Sequence, residues 1–294
     1  MSLATRRKFL QGCAAVAATP LTVAAIEPIV RNGTPKFKFS LAAYSYRDLL
    51  KSGKLSLSDF IADCAQMQLE GAELTSYYFP DPPTEAYLRQ LKDECFRAGL
   101  TISGTAVGND FGYPKGAERE KQIADVCRWI DYAQLLGAPV IRIFAGHKHK
   151  DTTDSESHQL MVDGMQQCCD YAGQHGIYLA LENHGGPTAT AEGILALVQA
   201  VDSPWFGVNL DTGNFHSETV YEDLARVAPY AVNVQVKVVV SPSNGRKEPA
   251  DFKRLSKILV GAGYRGFIVL EYEEKGDPRI ECPKYVDQLR EAFA

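Results

Sequence analysis

The chain has 294 residues, of which 45% are hydrophobic and 23% charged, and its 36 acidic side chains outnumber 31 basic ones for a net charge of -5. This is the composition of a water-soluble globular protein, and it excludes a disordered, collagenous or strongly basic chain. A nucleic-acid backbone would be repelled on average, so no nucleic-acid partner is expected.

At the N-terminus, Thr5-Arg6-Arg7-Lys8-Phe9-Leu10 precedes a weakly apolar stretch from Cys13 to Ile26, and no acidic residue appears before Glu27. This order resembles a twin-arginine export signal, whose apolar part is too short to span a bilayer. Residues 1–26 are then a signal peptide recognised by the twin-arginine export machinery, cut near Ala25. Residues 27–36 read as a linker and 37–294 as one folded domain. The expected location is periplasmic or otherwise exported, with no membrane partner for the processed chain, because no later apolar run approaches the roughly 20 residues of a membrane helix. Of the seven cysteines, Cys64, Cys95, Cys127, Cys168 and Cys169 lie in helical patterns without metal-type spacing and read as small core residues.

From residue 37 onward, short apolar runs alternate with amphipathic stretches. The runs are Phe37–Ser45, Gly71–Ser76, Leu100–Gly108, Pro139–Gly146, Ile177–His184, Phe206–Thr212, Ala231–Val240 and Gly266–Glu273. Between them, Ser58–Leu69, Thr84–Ala98, Ala117–Leu136, Glu156–Gln174, Ala191–Ala200 and Phe252–Val260 place apolar residues three and four apart, as helices do. Gly99, Gly137, Gly176 and Gly263 stand where helices should end. Eight strand–helix units predict a single closed parallel (β/α)8 TIM barrel, for which roughly 250 residues suffice. An open doubly wound sheet is the competitor, but neither GxGxxG nor GxxxxGK[ST] occurs. No feature of the pattern specifies an oligomer.

Alternate residues of a barrel strand point inward, so parity identifies the interior. In the last four runs, Glu182 and His184, Asn209 and Asp211, Asn233, Gln235 and Lys237, and Glu271 and Glu273 take one parity and aliphatic residues the other. Unpaired buried carboxylates cost several kcal/mol each, so they must meet a cation or stand in a wet mouth. Glu182, Asp211, Gln235 and Glu271 come near the C-terminal strand ends, where barrel enzymes keep their chemistry. Such oxygen-rich ligation suits a divalent metal ion, Mn²⁺, Mg²⁺ or Co²⁺ before Zn²⁺. The alternative is a salt-bridge network with Lys237 and Arg142 and no metal.

The segments Leu179-Ala-Leu-Glu182-Asn183-His184-Gly185-Gly186, Gly207-Val-Asn-Leu-Asp211-Thr-Gly-Asn214, Val234-Gln235-Val236-Lys237 and Val269-Leu270-Glu271-Tyr272-Glu273, with spacings of 29, 24 and 36 residues between the four candidate ligands, carry a family likeness. The chain resembles the sugar phosphate isomerase/epimerase superfamily of xylose isomerase-like barrels over essentially all of residues 37–294. That resemblance implies a divalent metal held by Glu182, Asp211, Gln235 and Glu271. Gln235 departs from the family's usual histidine, and Gln is a weaker, neutral donor. It also implies that Glu182 and Glu271 form an acid/base pair that removes and returns a proton beside a sugar carbonyl through a metal-stabilised enediolate.

Lys237 and His184 would then stabilise oxyanions or protonate a departing oxygen, or serve as counter-ion and orienter. The same enediolate can expel a β-substituent, so a keto-sugar dehydratase or keto-glycoside lyase is the alternative reaction. Export favours this variant, since sugar phosphates are largely cytoplasmic. A non-catalytic periplasmic sugar-binding protein is a further alternative, with Gln235 its best support. A small-molecule sugar or sugar derivative is the partner in all three. Tyr44, Glu73, Arg142, His147, Asn209 and Glu273 are candidate substrate contacts, as are Tyr46 and Arg47. Trp129 reads as core, and His158 and His175 as solvated helix residues.

Overall fold

The computed structural model describes residues 27–243 and 245–294; the expected signal peptide at 1–26 lies outside the described residues. Eight parallel strands close into a barrel: β1 (Lys36–Ala42), β2 (Gly71–Thr75), β3 (Thr101–Ala106), β4 (Val140–Ile143), β5 (Tyr178–Glu182), β6 (Phe206–Asp211), β7 (Ala231–Val236) and β8 (Arg265–Leu270). Each neighbours the next, and β8 pairs with β1. The main helices that follow them are α1 (Leu57–Gln66), α2 (Glu85–Arg97), α3 (Ala117–Leu136), α4 (Asp154–His175), α5 (Ala191–Ala200), α6 (Val220–Val227), α7 (Phe252–Gly261) and α8 (Pro278–Ala292). The barrel expected from the alternating pattern is therefore what the chain forms.

Local chemistry fixes the helix ends. Ser56 with Asp59 and Thr153 with Glu156 form reciprocal caps that satisfy the first amides of α1 and α4. Gly137 and Gly176, at φ 84° and 68°, close α3 and α4 in the left-handed region that glycine enters at little cost. The main core lies between barrel and helices, where Leu74, Ile141, Leu181, Leu210, Val236 and Ile268 are buried with Phe60, Leu91, Ile130 and Met165 of the helices. Cys64, Cys95, Cys168 and Cys169 are buried there too, and Cys127 is half-buried. Trp129 is only half-buried, its ring edge-on to Phe79 and Tyr132, because it faces the rim of the helical layer. Two helices escaped the periodicity reading: α6 is only two turns long, and α8 carries an internal proline, Pro283.

The seventh apolar run does not stay in the barrel. The strand ends at Val236, and Val239–Val240 pairs antiparallel with Glu248–Pro249 as a hairpin beyond the C-terminal face. At the opposite end, residues 27–35 are not a free linker. The Ile29 amide donates to the Pro229 carbonyl at 3.0 Å, and Arg31 donates to the Ala231 carbonyl while its guanidinium lies 5.0 Å from the centre of the Tyr264 ring. Arg265 donates to the Thr34 carbonyl. The segment thus straps the N-terminal end of the barrel. Arg31→Ala should lower unfolding free energy by about 1–3 kcal/mol, one charged hydrogen bond plus a cation–π contact. Urea unfolding measures it, and unchanged stability would contradict the docking.

Candidate active site

Two polar layers fill the C-terminal half of the barrel. The lower layer is a closed ring of side chains. Asn233 Nδ2 donates to Glu73 Oε2 at 3.0 Å and to Asn209 Oδ1 at 2.9 Å, Asn209 Nδ2 donates to Gln235 Oε1 at 2.6 Å, and Gln235 Nε2 donates to Glu73 Oε1 at 2.6 Å. A register shift between Val208 and Asn209 sets Asn209 opposite Asn233 and Asp211 opposite Gln235. All four members are buried. Burial, then the charge of Glu271, pushes the Glu73 carboxyl up to about 7.

Three expected site residues thus meet in this ring. Glu73 and Asn209 lie beneath the mouth, engaged with each other's partners. Gln235 has both ends of its amide committed to the ring as the side chains stand. The ring has a physical reason: a neutral amide placed among Asn and Glu side chains satisfies its donors and acceptors there, whereas leaving them unmet would cost about 1–3 kcal/mol each.

The upper layer is charged. Glu182 and Asp211 are the last residues of β5 and β6, Lys237 and Glu271 the first residues beyond β7 and β8. Glu182 Oε2 lies 2.8 Å from Arg142 Nε, and its Oε1 accepts from Asn214 Nδ2 at 3.0 Å. Arg142 is itself held by the Val107 carbonyl at 2.7 Å and the Tyr77 hydroxyl at 3.0 Å, with its guanidinium over the Phe144 ring. Lys237 Nζ donates to Glu271 and stands 2.9 Å from Glu273 Oε1 and 3.3 Å from Asp211 Oδ2. Gly213 permits this approach, since a Cβ there would meet Lys237 Cγ at 2.5 Å. The Asn183 amide makes two 2.9 Å bonds to the Asp211 backbone and fixes the end of β6.

Four carboxylates thus share two cations. Burial, resisted by Arg142, pushes the Glu182 carboxyl up to about 8, and burial pushes Asp211 up to about 7 against the pull of Lys237. Burial opposes the charge on Lys237, but Asp211, Glu271 and Glu273 outweigh it and hold the ammonium well above its ordinary value. Asp211 Oδ2 is buried and receives no hydrogen bond from the described residues. A hard divalent cation fits this donor chemistry: an excess of buried carboxylate oxygens, with Asp211 Oδ2 met, among the described residues, only by the Lys237 ammonium at 3.3 Å. As the side chains stand, no three His, Cys, Asp or Glu among the described residues form a ready-made cage. Lys237 takes the place between Asp211 and Glu271.

A cavity of about 250 Å³ opens onto Lys237, Glu271 and Glu273 beneath the hairpin. The hairpin is pinned by Lys247 to Glu274 at 2.6 Å and by His216 Nδ1 to the Ser241 carbonyl at 2.9 Å. His184 is exposed at the mouth with its ring 4.6 Å from Phe144, and partial desolvation, then Arg142 and Lys237, lowers its imidazole. Tyr44 is near enough to Glu273 to feel its charge, and lies edge-on to Tyr77.

Tyr46 is buried against Phe60 in the outer core, and Arg47 ties the Tyr44, Tyr272 and Glu273 carbonyls together. His147 stands on the rim, away from the charged layer, and His158 lines a side cavity with it. The parity reading missed Tyr77, Asn183 and Asn214. Tyr77 had a signal, an aromatic run directly after a catalytic-end strand; the two asparagines sat inside motifs already noted.

Comparison with known proteins places this geometry. A family model described as xylose isomerase-like TIM barrel matches residues 61–292. The 3-dehydroshikimate dehydratase of Bacillus anthracis is 27% identical over 181 residues, 59% of this chain and 61% of that protein. The C-glycoside deglycosidase alpha subunit of Arthrobacter globiformis is 26% identical over 140 residues, 46% of this chain and 35% of that protein. The chain spans less than two thirds of either curated relative. D-psicose 3-epimerase of Clostridium cellulolyticum, solved with D-tagatose, superposes at TM-score 0.70 with 16% identity, over 87% of this chain and 99% of that one, and so shares the fold.

Carboxyls whose folded values are raised stabilise the fold fully below their unfolded values near 4 and lose that contribution as pH rises through about 7 to 8. Chelator-treated protein should therefore lose stability from pH 5.5 to 8.5, and Glu182→Gln should flatten that slope in denaturant titrations. An identical slope in the variant would remove Glu182 from the buried cluster.

Proposed function

Because this chain belongs to the xylose isomerase-like TIM barrel family, we propose that it acts on a small keto-sugar or sugar derivative by removing a proton beside the carbonyl. The observation that carries this reading is the separate pairing of two carboxylates in one mouth, Glu271 with Lys237 and Glu182 with Arg142. Their strands, β8 and β5, stand three places apart around the ring, so the two groups address a bound sugar from different sides.

Glu271 is the base. Lys237, held charged by three carboxylates, offers its ammonium to the oxygen on which negative charge gathers as the enediolate forms. Glu182, raised to about 8, retains its proton near neutral pH and is the donor on the other side, oriented by Arg142 and Asn214. His184, whose imidazole is kept neutral, is a second group able to pass a proton at the solvent edge. Glu182, Asp211 and Glu271 would hold a divalent ion, Mn²⁺, Mg²⁺ or Co²⁺ before Zn²⁺, and such an ion supplies Lewis-acid stabilisation of the same charge.

Two fates are open to the enediolate: reprotonation, which isomerises or epimerises, and expulsion of a β-substituent. The epimerase likeness rests on fold at 16% identity, whereas the two curated relatives are named as a dehydratase and a deglycosidase. The twin-arginine pattern, read as export to the periplasm, points away from sugar phosphates as well. These observations favour elimination from a keto-sugar or keto-glycoside. A pure sugar-binding role is disfavoured, because a neutral ligand needs hydrogen bonds and no cluster of four carboxylates.

Incubation of Mn²⁺-loaded protein with keto-sugars and keto-glycosides in D₂O, followed by NMR, separates the fates. Release of the substituent is the expected result, since the carbon that gives up its proton ends in a double bond; solvent deuterium at that carbon without release makes the enzyme an epimerase or isomerase, and binding without either makes it a binding protein. Glu271→Gln should slow that release by about 10²–10⁴-fold with the melting temperature preserved. Undiminished release would take Glu271 out of the mechanism.

A further inference from the structure

The helices before and after β4, α3 and α4, pack side by side on the outside of the barrel, and a ladder of contacts fixes their register. Near their N-terminal ends, Arg119 Nη2 donates to the Leu160 carbonyl at 2.7 Å. Further along, Cys168 Sγ lies 4.0 Å from the Ile123 carbonyl. Near their C-terminal ends, the Tyr171 hydroxyl donates to Asp131 Oδ1 at 2.8 Å, and His175 Nε2 stands 3.5 Å from the same oxygen. Cys127 comes one turn after Ile123 and one turn before Asp131, so it shares their stripe of α3 and falls between the second rung and the third.

Helix geometry sets where its side chain goes. The Cys127 amide donates to the Ile123 carbonyl within α3, and the Cβ bonds of a helix tilt toward its N-terminus. The Cys127 side chain therefore reaches back over the carbonyl against which Cys168 Sγ is placed. The two thiols meet there, with Cys168 donating to the Cys127 sulfur. That donation holds the Cys127 thiol below its ordinary value and, together with burial, pushes Cys168 well above its own. Cys169, the next residue along α4, turns to the Ser203 hydroxyl instead.

Exposure separates the two roles. Cys127 is half-buried and Cys168 is buried, as are Cys64, Cys95, Cys169 and Cys282, so an oxidant in solution reaches Cys127 first. We infer that Cys127 and Cys168 form a modification site, which takes up a small disulfide at Cys127 and closes into an intramolecular disulfide that staples α3 to α4. With oxidised glutathione as the oxidant the step balances. The Cys127 sulfur attacks one glutathione sulfur and expels the other glutathione as a thiol. The Cys168 sulfur then attacks Cys127, breaks the mixed disulfide and expels the second glutathione. Two protein thiols lose two electrons and two protons, and one glutathione disulfide gains them. The staple spans β4, the strand that carries Arg142.

Reduced protein is incubated with oxidised glutathione, its remaining thiols are alkylated, and the products are mapped by mass spectrometry. A Cys127–Cys168 cross-link that dithiothreitol reverses is the expected product, and it should raise the melting temperature by about 5–10 °C by closing the loop between the two residues. Cys169→Ser should keep the cross-link, and Cys127→Ser should take up no glutathione and form none. A glutathione adduct that stays on Cys127, no modification of either residue, or uptake undiminished in Cys127→Ser would overturn the pair. A cross-linked protein that melts at an equal or lower temperature would overturn the staple.

Discussion

The mouth of this barrel is organised around a shortage of positive charge. Glu182, Asp211, Glu271 and Glu273 are brought together by β5, β6 and β8, and among the described residues Arg142 and Lys237 are the cations that pair with them. Glu273 reaches solvent, but Glu182, Asp211 and Glu271 are buried in a medium that solvates ions poorly, so protons remain on Glu182 and Asp211 at pH values where exposed carboxylates have lost them. An acid that holds its proton near neutrality and a base paired to an ammonium are what chemistry beside a carbonyl requires. The same shortage makes the cluster receptive to a divalent cation.

Beneath this charged layer the barrel cannot be filled by arbitrary polar groups. The Glu73–Asn209–Asn233–Gln235 ring satisfies its members mutually, and it does so only because the shift at Asn209 aligns β6 with β7. It forms a rigid polar floor that separates the mouth from Ser40 and Ser103, which bond to each other at 2.7 Å further down. The strap at 27–35 packs across the far end of the same barrel.

The sequence disclosed the half of the barrel in which polar and aliphatic residues alternate. In β5 to β8, Glu182, Asn209, Asp211, Asn233 and Gln235 interrupt aliphatic strands with a period of two, which has no economical explanation except a polar interior. The first strands were less legible because their inward residues are small or mildly polar: Ser40, Gly71, Ser103, Gly104. The destination of Gln235 could not be read at all. Its partner Glu73 is 162 residues away, and a local pattern says that a side chain points inward without saying which neighbour receives it. Arg142 was identified as a possible counter-ion, while the Tyr77 hydroxyl that holds it and the Asn214 amide that donates to Glu182 depend on loop conformations that spacing does not encode. The strap was hidden for the same reason, since its contacts are largely to backbone carbonyls.

The claim on which all this depends is that protons substitute for missing cations in the mouth. Calorimetric titration of chelator-treated protein with Mn²⁺ at pH 7, in two buffers of different ionisation enthalpy, counts the protons displaced. The account predicts saturable binding that releases about one proton per ion as the carboxyl of Asp211 gives way. Binding with no proton release, or no binding at millimolar Mn²⁺, would contradict it.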